Sequence, residues 1–203
     1  MLLNIDEYMM KRFPGLYLEP PLFYSWNIGI RFELGNPSEE DEKNYMKRVL
    51  KRSNTLLQTL HQNNDEIFIV CYFDQHKRKQ YKKLNVFNPF MRNKKVKYQM
   101  RHKVFPFREP EEDDDVKWET HRLLLKCKVQ DINLPKIIQT FFYKDAMPRL
   151  YFINIKRETI FSIYDSRGCD LVSAKKENIE EIYHTFNDWI LDWDRSRMEQ
   201  MFN

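Results

Sequence analysis

The residues best suited to chemistry lie in one short stretch, Tyr164-Asp165-Ser166-Arg167-Gly168-Cys169-Asp170. Two carboxylates flank a guanidinium there, so Asp165, Arg167 and Asp170 can clamp a loop or present it for recognition. Gly168 is expected to close the turn, because glycine takes positive φ without a steric cost. Cys169 adds a nucleophile, and His184 follows on the next expected helix, which makes a thiolate–imidazole pair one candidate. The simpler reading is a small strand cysteine, an exposed helix histidine and a well-capped turn. No G-x-S-x-G elbow and no glycine-rich phosphate loop accompany them.

Metal chemistry has less to build on. His61, His76, His102, His121 and His184 show no i, i+4 pairing, and none stands at ligand spacing from a cysteine. Cys71, Cys127 and Cys169 are too widely spaced for a zinc knuckle or a disulfide framework. Asp188, Asp192 and Asp194 can be set around a divalent cation with Asp165 or Asp170. A solvated acidic face beside a buried Trp189 and Trp193, paired with Arg195 and Arg197, explains them more simply. We therefore expect no metal and no cofactor, and an enzyme centred on Tyr164–Asp170 stays an alternative only.

Charge is the stronger signal. The chain has 203 residues and a net charge of +4, but residues 75–108 hold twelve Lys/Arg and no Asp/Glu. The rest carries 22 basic against 30 acidic groups, a balance of −8. The basic segment interleaves its cations with Tyr81, Phe87, Phe90, Tyr98, Phe105 and Phe107, a composition that suits single-stranded nucleic acid. Six acids in residues 109–115 follow at once and counter it. No nucleic-acid-binding motif is present. Opposite patches suit the steering of a charged protein partner. Lys77, Arg78, Lys79, Lys94, Lys95 and Lys97 are the candidate contacts, and Asp113–Asp115 form a second surface.

The elements that must position these groups follow from periodicity. A short helix is expected over 4–13, a strand over 23–34 and a helix capped by Ser38 that runs to His61. Ile67 to Phe73 is a continuous apolar run, typical of a strand covered on both faces. Strand, helix and strand open the chain, with a parallel relation inferred from connection length. Strands are expected over 118–129, 150–155, 159–165 and 169–172, with a helix over 131–145. Ile179, Ile182, Tyr183, Phe186, Trp189, Ile190 and Trp193 predict one long amphipathic C-terminal helix. The result is a single mixed α+β domain over 1–203, with 75–115 as a charged insertion. No apolar run approaches the roughly 20 residues that span a bilayer. The first ten residues lack the basic start of a signal peptide, so a cytoplasmic location is expected.

Four stretches, Asn27 to Gly35, Asp65 to Phe73, Tyr164 to Asp170 and Asn187 to Asp194, resemble the small bacterial proteins grouped as domain of unknown function 3885. The resemblance implies a bacterial, intracellular, mixed α/β domain and brings no activity, cofactor or catalytic set with it. We expect a non-catalytic, immunity-like or regulatory module that binds another protein. Nucleic-acid binding through 75–108 is the alternative.

Overall fold

A computed structural model describes residues 4–77, 86–107, 117–143 and 149–202. Arg78, Lys79 and the acidic run Asp113–Asp115 lie outside the described residues. One seven-stranded sheet organises the rest, in the order β1-β7-β6-β5-β2-β4-β3. The strands are β1 (Gly29–Glu33), β2 (Glu66–His76), β3 (Arg101–Pro106), β4 (Trp118–Lys128), β5 (Arg149–Asn154), β6 (Thr159–Asp165) and β7 (Gly168–Ser173). Every pairing is antiparallel. β1 and β2 therefore point the same way, as connection length suggested, but three strands separate them.

β2 explains its own sequence. Ile67, Ile69 and Cys71 face one core, while Phe68, Val70 and Tyr72 face another. Both faces are buried, so the strand reads as an unbroken apolar run. The first face is covered by α3 (Glu42–Leu60), α4 (Leu134–Phe142), α5 (Glu180–Thr185) and α6 (Arg195–Phe202). The second face is covered by α1 (Ile5–Arg12) and the chain that follows it, through Tyr8, Phe13, Leu16, Leu18 and Leu22. The molecule is a mixed α+β fold in three layers.

β3 and α6 were not expected, and three further departures bear on the site. Leu22–Ser25 forms a four-residue helix, α2, so the strand begins only at Gly29. α3 is capped by Asp41 rather than Ser38, because the Asp41 carboxylate accepts from Lys43 N (2.8 Å) and Asn44 N (3.1 Å). The largest departure is the C-terminal helix, which stops after Thr185. Ile190 bridges Phe32 and Leu191 N donates to Arg31 O at 3.0 Å, so this segment is extended along the open edge of β1. An uncovered strand edge carries unpaired donors and acceptors, and their satisfaction outweighs helical continuity here. Trp193 is consequently 86% exposed instead of buried.

Candidate functional site

The corner where β1 meets β7 gathers most of the residues singled out for chemistry. Arg31 and Asp170 are direct cross-strand partners. Arg31 Nε donates to Asp170 Oδ1 at 2.8 Å and its Nη2 to Oδ2 at 3.3 Å, while Nη1 reaches Asp194 Oδ2 at 3.4 Å. Asp170 also accepts from Phe23 N at 3.2 Å, and Tyr24 Oη donates to Asp194 Oδ1 at 2.8 Å. The guanidinium stacks on Tyr24 at 4.5 Å and on Tyr164 at 5.2 Å. Burial alone would make Arg31 easier to deprotonate, but its hydrogen bonds and attraction to Asp170 outweigh that and raise its pKa. Burial also raises the Tyr164 phenol above its ordinary value. Arg31 is thereby held as a cation between the Asp170 and Asp194 carboxylates.

The clamp expected in the turn exists in part. Arg167 binds Asp165 through Nε at 2.8 Å and Nη2 at 2.5 Å, and its backbone N–H donates to the same carboxylate at 2.7 Å. Asp170 does not join them, because strand alternation turns it onto the opposite side, toward Arg31. Gly168 is required for space rather than for positive φ, which among the described glycines belongs to Gly15. A Cβ at 168 would overlap the Tyr164 hydroxyl and come within 2.6 Å of the Phe32 carbonyl.

The candidate nucleophile, base and metal ligands sit in separate surroundings. Cys169 is fully buried among apolar side chains, and burial pushes its pKa well above the ordinary thiol value. His184 is exposed, with its ring against Tyr183. Asp188 and Asp192 do not share a helical face, since the chain is not α-helical there. Asp194 turns inward to Tyr24 and Arg31, while Asp192 pairs with Arg195 at 2.9 Å. Among the described residues no group of three His, Cys, Asp or Glu is placed to hold a metal.

Beside the Arg31 cluster lies a cleft of about 700 Å³, lined by Pro20, Pro21, Pro37, Tyr45, Tyr164 and Leu191, with Arg31, Glu33, Asp165 and Arg167 among its polar residues. Single-residue reasoning passed over Arg31, which looked like the solvent position of a half-buried strand. Its signal was its place opposite Asp170, legible only once β1 and β7 were known to pair.

The basic segment is built differently. Phe87, Phe90, Met91 and Val96 are buried in the first core. Arg92 and Asn93 donate their backbone N–H groups to Asp131 O at 2.9 and 3.0 Å, and Met91 bridges Ile132. A 3-10 turn over Lys94–Gln99 follows, capped by Asn93, and leads into the edge strand β3. Arg92, Lys94, Lys95, Arg101 and Lys103 are exposed, Lys97 is half-buried, and Lys77 is exposed at the end of β2. None of the seven forms an ion pair with a described carboxylate. Asp6 lies below its ordinary carboxylate value chiefly through its hydrogen bond from Arg122, with Lys103 adding a weaker pull. Among the described rings of the segment, Phe87 and Phe90 are buried in the core, Phe105 and Phe107 are half-buried, and Tyr98 is exposed with Lys97 Nζ 4.9 Å from its centroid.

Behind this flank the fold brings together two histidines that sequence spacing kept apart. His102 Nε2 lies 2.8 Å from His121 Nδ1, and His121 Nε2 lies 3.0 Å from Glu119 Oε1. The carboxylate must accept, so His121 carries its proton on Nε2 and His102 donates from Nε2. The two imidazole planes lie within 11° of each other with centroids 5.0 Å apart, and the Phe73 ring lies within 15° of His121 at 5.0 Å.

The chain is 27% identical over 212 residues to the uncharacterized protein YnaE of Bacillus subtilis (strain 168), covering 94% of this chain and 99% of that one. No solved structure matches it. Three of the four stretches that carry the family resemblance, those in β1, in the β6–β7 turn and at 187–194, meet at the Arg31 corner. The family model for Domain of unknown function (DUF3885) matches residues 5–194, and the chain belongs to that family.

Proposed function

We propose that this protein is a non-catalytic binding module, immunity-like or regulatory, that docks an acidic protein surface on the flank formed by residues 86–107. One observation carries this reading. Six cations, Arg92, Lys94, Lys95, Lys97, Arg101 and Lys103, sit on a segment anchored through its apolar residues, and none is ion-paired within the described residues. Charges left unpaired on a fixed support steer an oppositely charged partner without a reorganisation cost. Protection of an edge strand accounts for Arg101 and Lys103 on β3. It does not account for Arg92, Lys94 and Lys95, which precede the strand. Burial of Phe87 and Phe90 removes two of the rings that base stacking would need, which favours protein over nucleic acid.

The test is affinity capture from the native host with the full chain and with a variant in which all six cations become Gln. Proteins retained by the wild type should be lost with the variant and released as salt rises. An identical set retained by both would overturn the reading. So would saturable binding of a single-stranded oligonucleotide at low salt with no protein retained.

A further inference from the structure

The two outer strands of the sheet are finished differently. Along β1 the chain supplies its own cover, since Ile190 bridges Phe32 and Leu191 N donates to Arg31 O at 3.0 Å. β3 is the other outer strand, and among the described residues its one strand neighbour is β4. Register decides which of its backbone groups face outward. Lys77 N donates to Lys117 O at 2.7 Å and Val129 N to Asp65 O at 3.0 Å, at the two ends of the β2–β4 ladder. Backbone groups alternate sides along a strand, so the odd-numbered residues of β4 turn theirs to β2 and the even-numbered ones to β3. Leu124, Arg122 and Thr120 therefore exchange hydrogen bonds with Arg101, Lys103 and Phe105. His102, Val104 and Pro106 keep their backbone groups on the outer side. Pro106 fits there, because proline in a sheet belongs where its missing N–H is not required.

We propose that the outer edge of β3 accepts an extended acidic segment of a partner protein as an added strand, centred on Val104. The proposal rests on the reading of the flank as a dock for acidic protein surface, and it names the form that surface takes. Backbone pairing gives such a segment its hold, and alternate side chains give it selectivity. Its residues opposite Arg101 and Lys103 fall at the non-hydrogen-bonded positions, where the side chains of paired strands come closest. Both cations are exposed and free of ion pairs among the described residues. Carboxylates placed there meet unspent charge, and opposite charges across strands attract. On the other face of the strand, Val104 is 44% exposed and offers an apolar neighbour. The fitting segment therefore alternates acidic and apolar residues. Arg101 and Lys103 repel strands of like charge, but they leave the edge open to one of opposite charge. Protection alone gives no reason for the exposed valine between them and Pro106.

The probe is an acetylated and amidated peptide of four Glu-Val repeats, titrated against the full chain with amide hydrogen exchange as the readout. Saturable binding below about 1 mM is expected, with slowed exchange at Val104, and Gln in place of every Glu should weaken it by about tenfold or more. Val104→Pro removes an outward N–H and no bond to β4, and Lys103 already has the extended backbone that a residue before proline requires. This variant should keep the wild-type unfolding midpoint and bind the peptide about tenfold or more weakly. Val104→Thr, which restores the N–H, should bind as the wild type does. Absence of saturable binding, wild-type affinity in Val104→Pro, or a bound peptide that leaves the Val104 amide unprotected in the wild type would overturn the proposal. The last of these needs no variant and decides the matter even if the proline destabilises the fold. Peptide held by Val104→Pro but lost when the six flank cations become Gln would remove the added strand and leave the charge reading standing.

Discussion

Two regions of this molecule use arginine and lysine in opposite ways. At the β1–β7 corner Arg31 is buried, bidentate to Asp170, in reach of Asp194 and stacked between tyrosines. On the 86–107 flank the cations stand in solvent, free of ion pairs among the described residues, while the apolar residues between them hold the core. The same residue types serve architecture where their charge is spent and recognition where it is left over. Net charge says nothing of this difference, and partner distance decides it.

The comparison breaks first at Asp170. Replacing it with Ala leaves Arg31 buried without its principal partner, and unfolding in urea should show a loss of about 3–5 kcal/mol. A loss below about 1 kcal/mol, the worth of an exposed pair, would mean that the corner is no more structural than the flank.

The second effect belongs to a buried group that holds no charge. His61 caps α3, with Nδ1 2.9 Å from Leu57 O, and burial pushes its pKa down to about 4 from the ordinary 6.5. Its folded value is lowered, so between those pH values the unfolded chain binds a proton that the folded chain refuses. Stability should therefore be full above about pH 6.5 and fall as pH drops toward 4, by about 3 kcal/mol in all. His61→Asn should flatten that stretch of the stability–pH curve, read from urea melts at several pH values. An unchanged curve would assign the acid sensitivity to other groups.

A smaller loss is expected from Gly168→Ala, whose new methyl must displace the Tyr164 ring or the Phe32 carbonyl. About 1–3 kcal/mol is expected from thermal unfolding. Wild-type stability would show that the corner is looser than its contacts indicate.

Periodicity in the sequence was enough for the β2 core strand, the β4 to β7 strands and helices α1, α3 and α4, because burial on one or both faces imprints a period on the chain. The Asp165–Arg167 clamp was legible too, since its partners are two residues apart. Arg31–Asp170 was not, because 139 residues separate the partners and only strand order brings them together. The His102–His121 pair was hidden for the same reason. The long C-terminal helix failed because its apolar spacing is real, but the edge of β1 competes for Ile190 and Leu191. The cations of the flank were visible as a cluster. That they form no ion pair among the described residues became visible only with their surroundings.

The most direct test of that last point is equilibrium unfolding in urea of the variant with Lys94, Lys95, Lys97, Arg101 and Lys103 all changed to Gln. If these charges are held for a partner, the fold does not need them. Each site should then shift stability by no more than about 0.5 kcal/mol, with some offset from relieved self-repulsion. The variant should unfold within about 1 kcal/mol of the wild type, with the same dependence on urea. A loss of several kcal/mol, approaching that of Asp170→Ala, would contradict the account and place the flank's charges in the service of the fold.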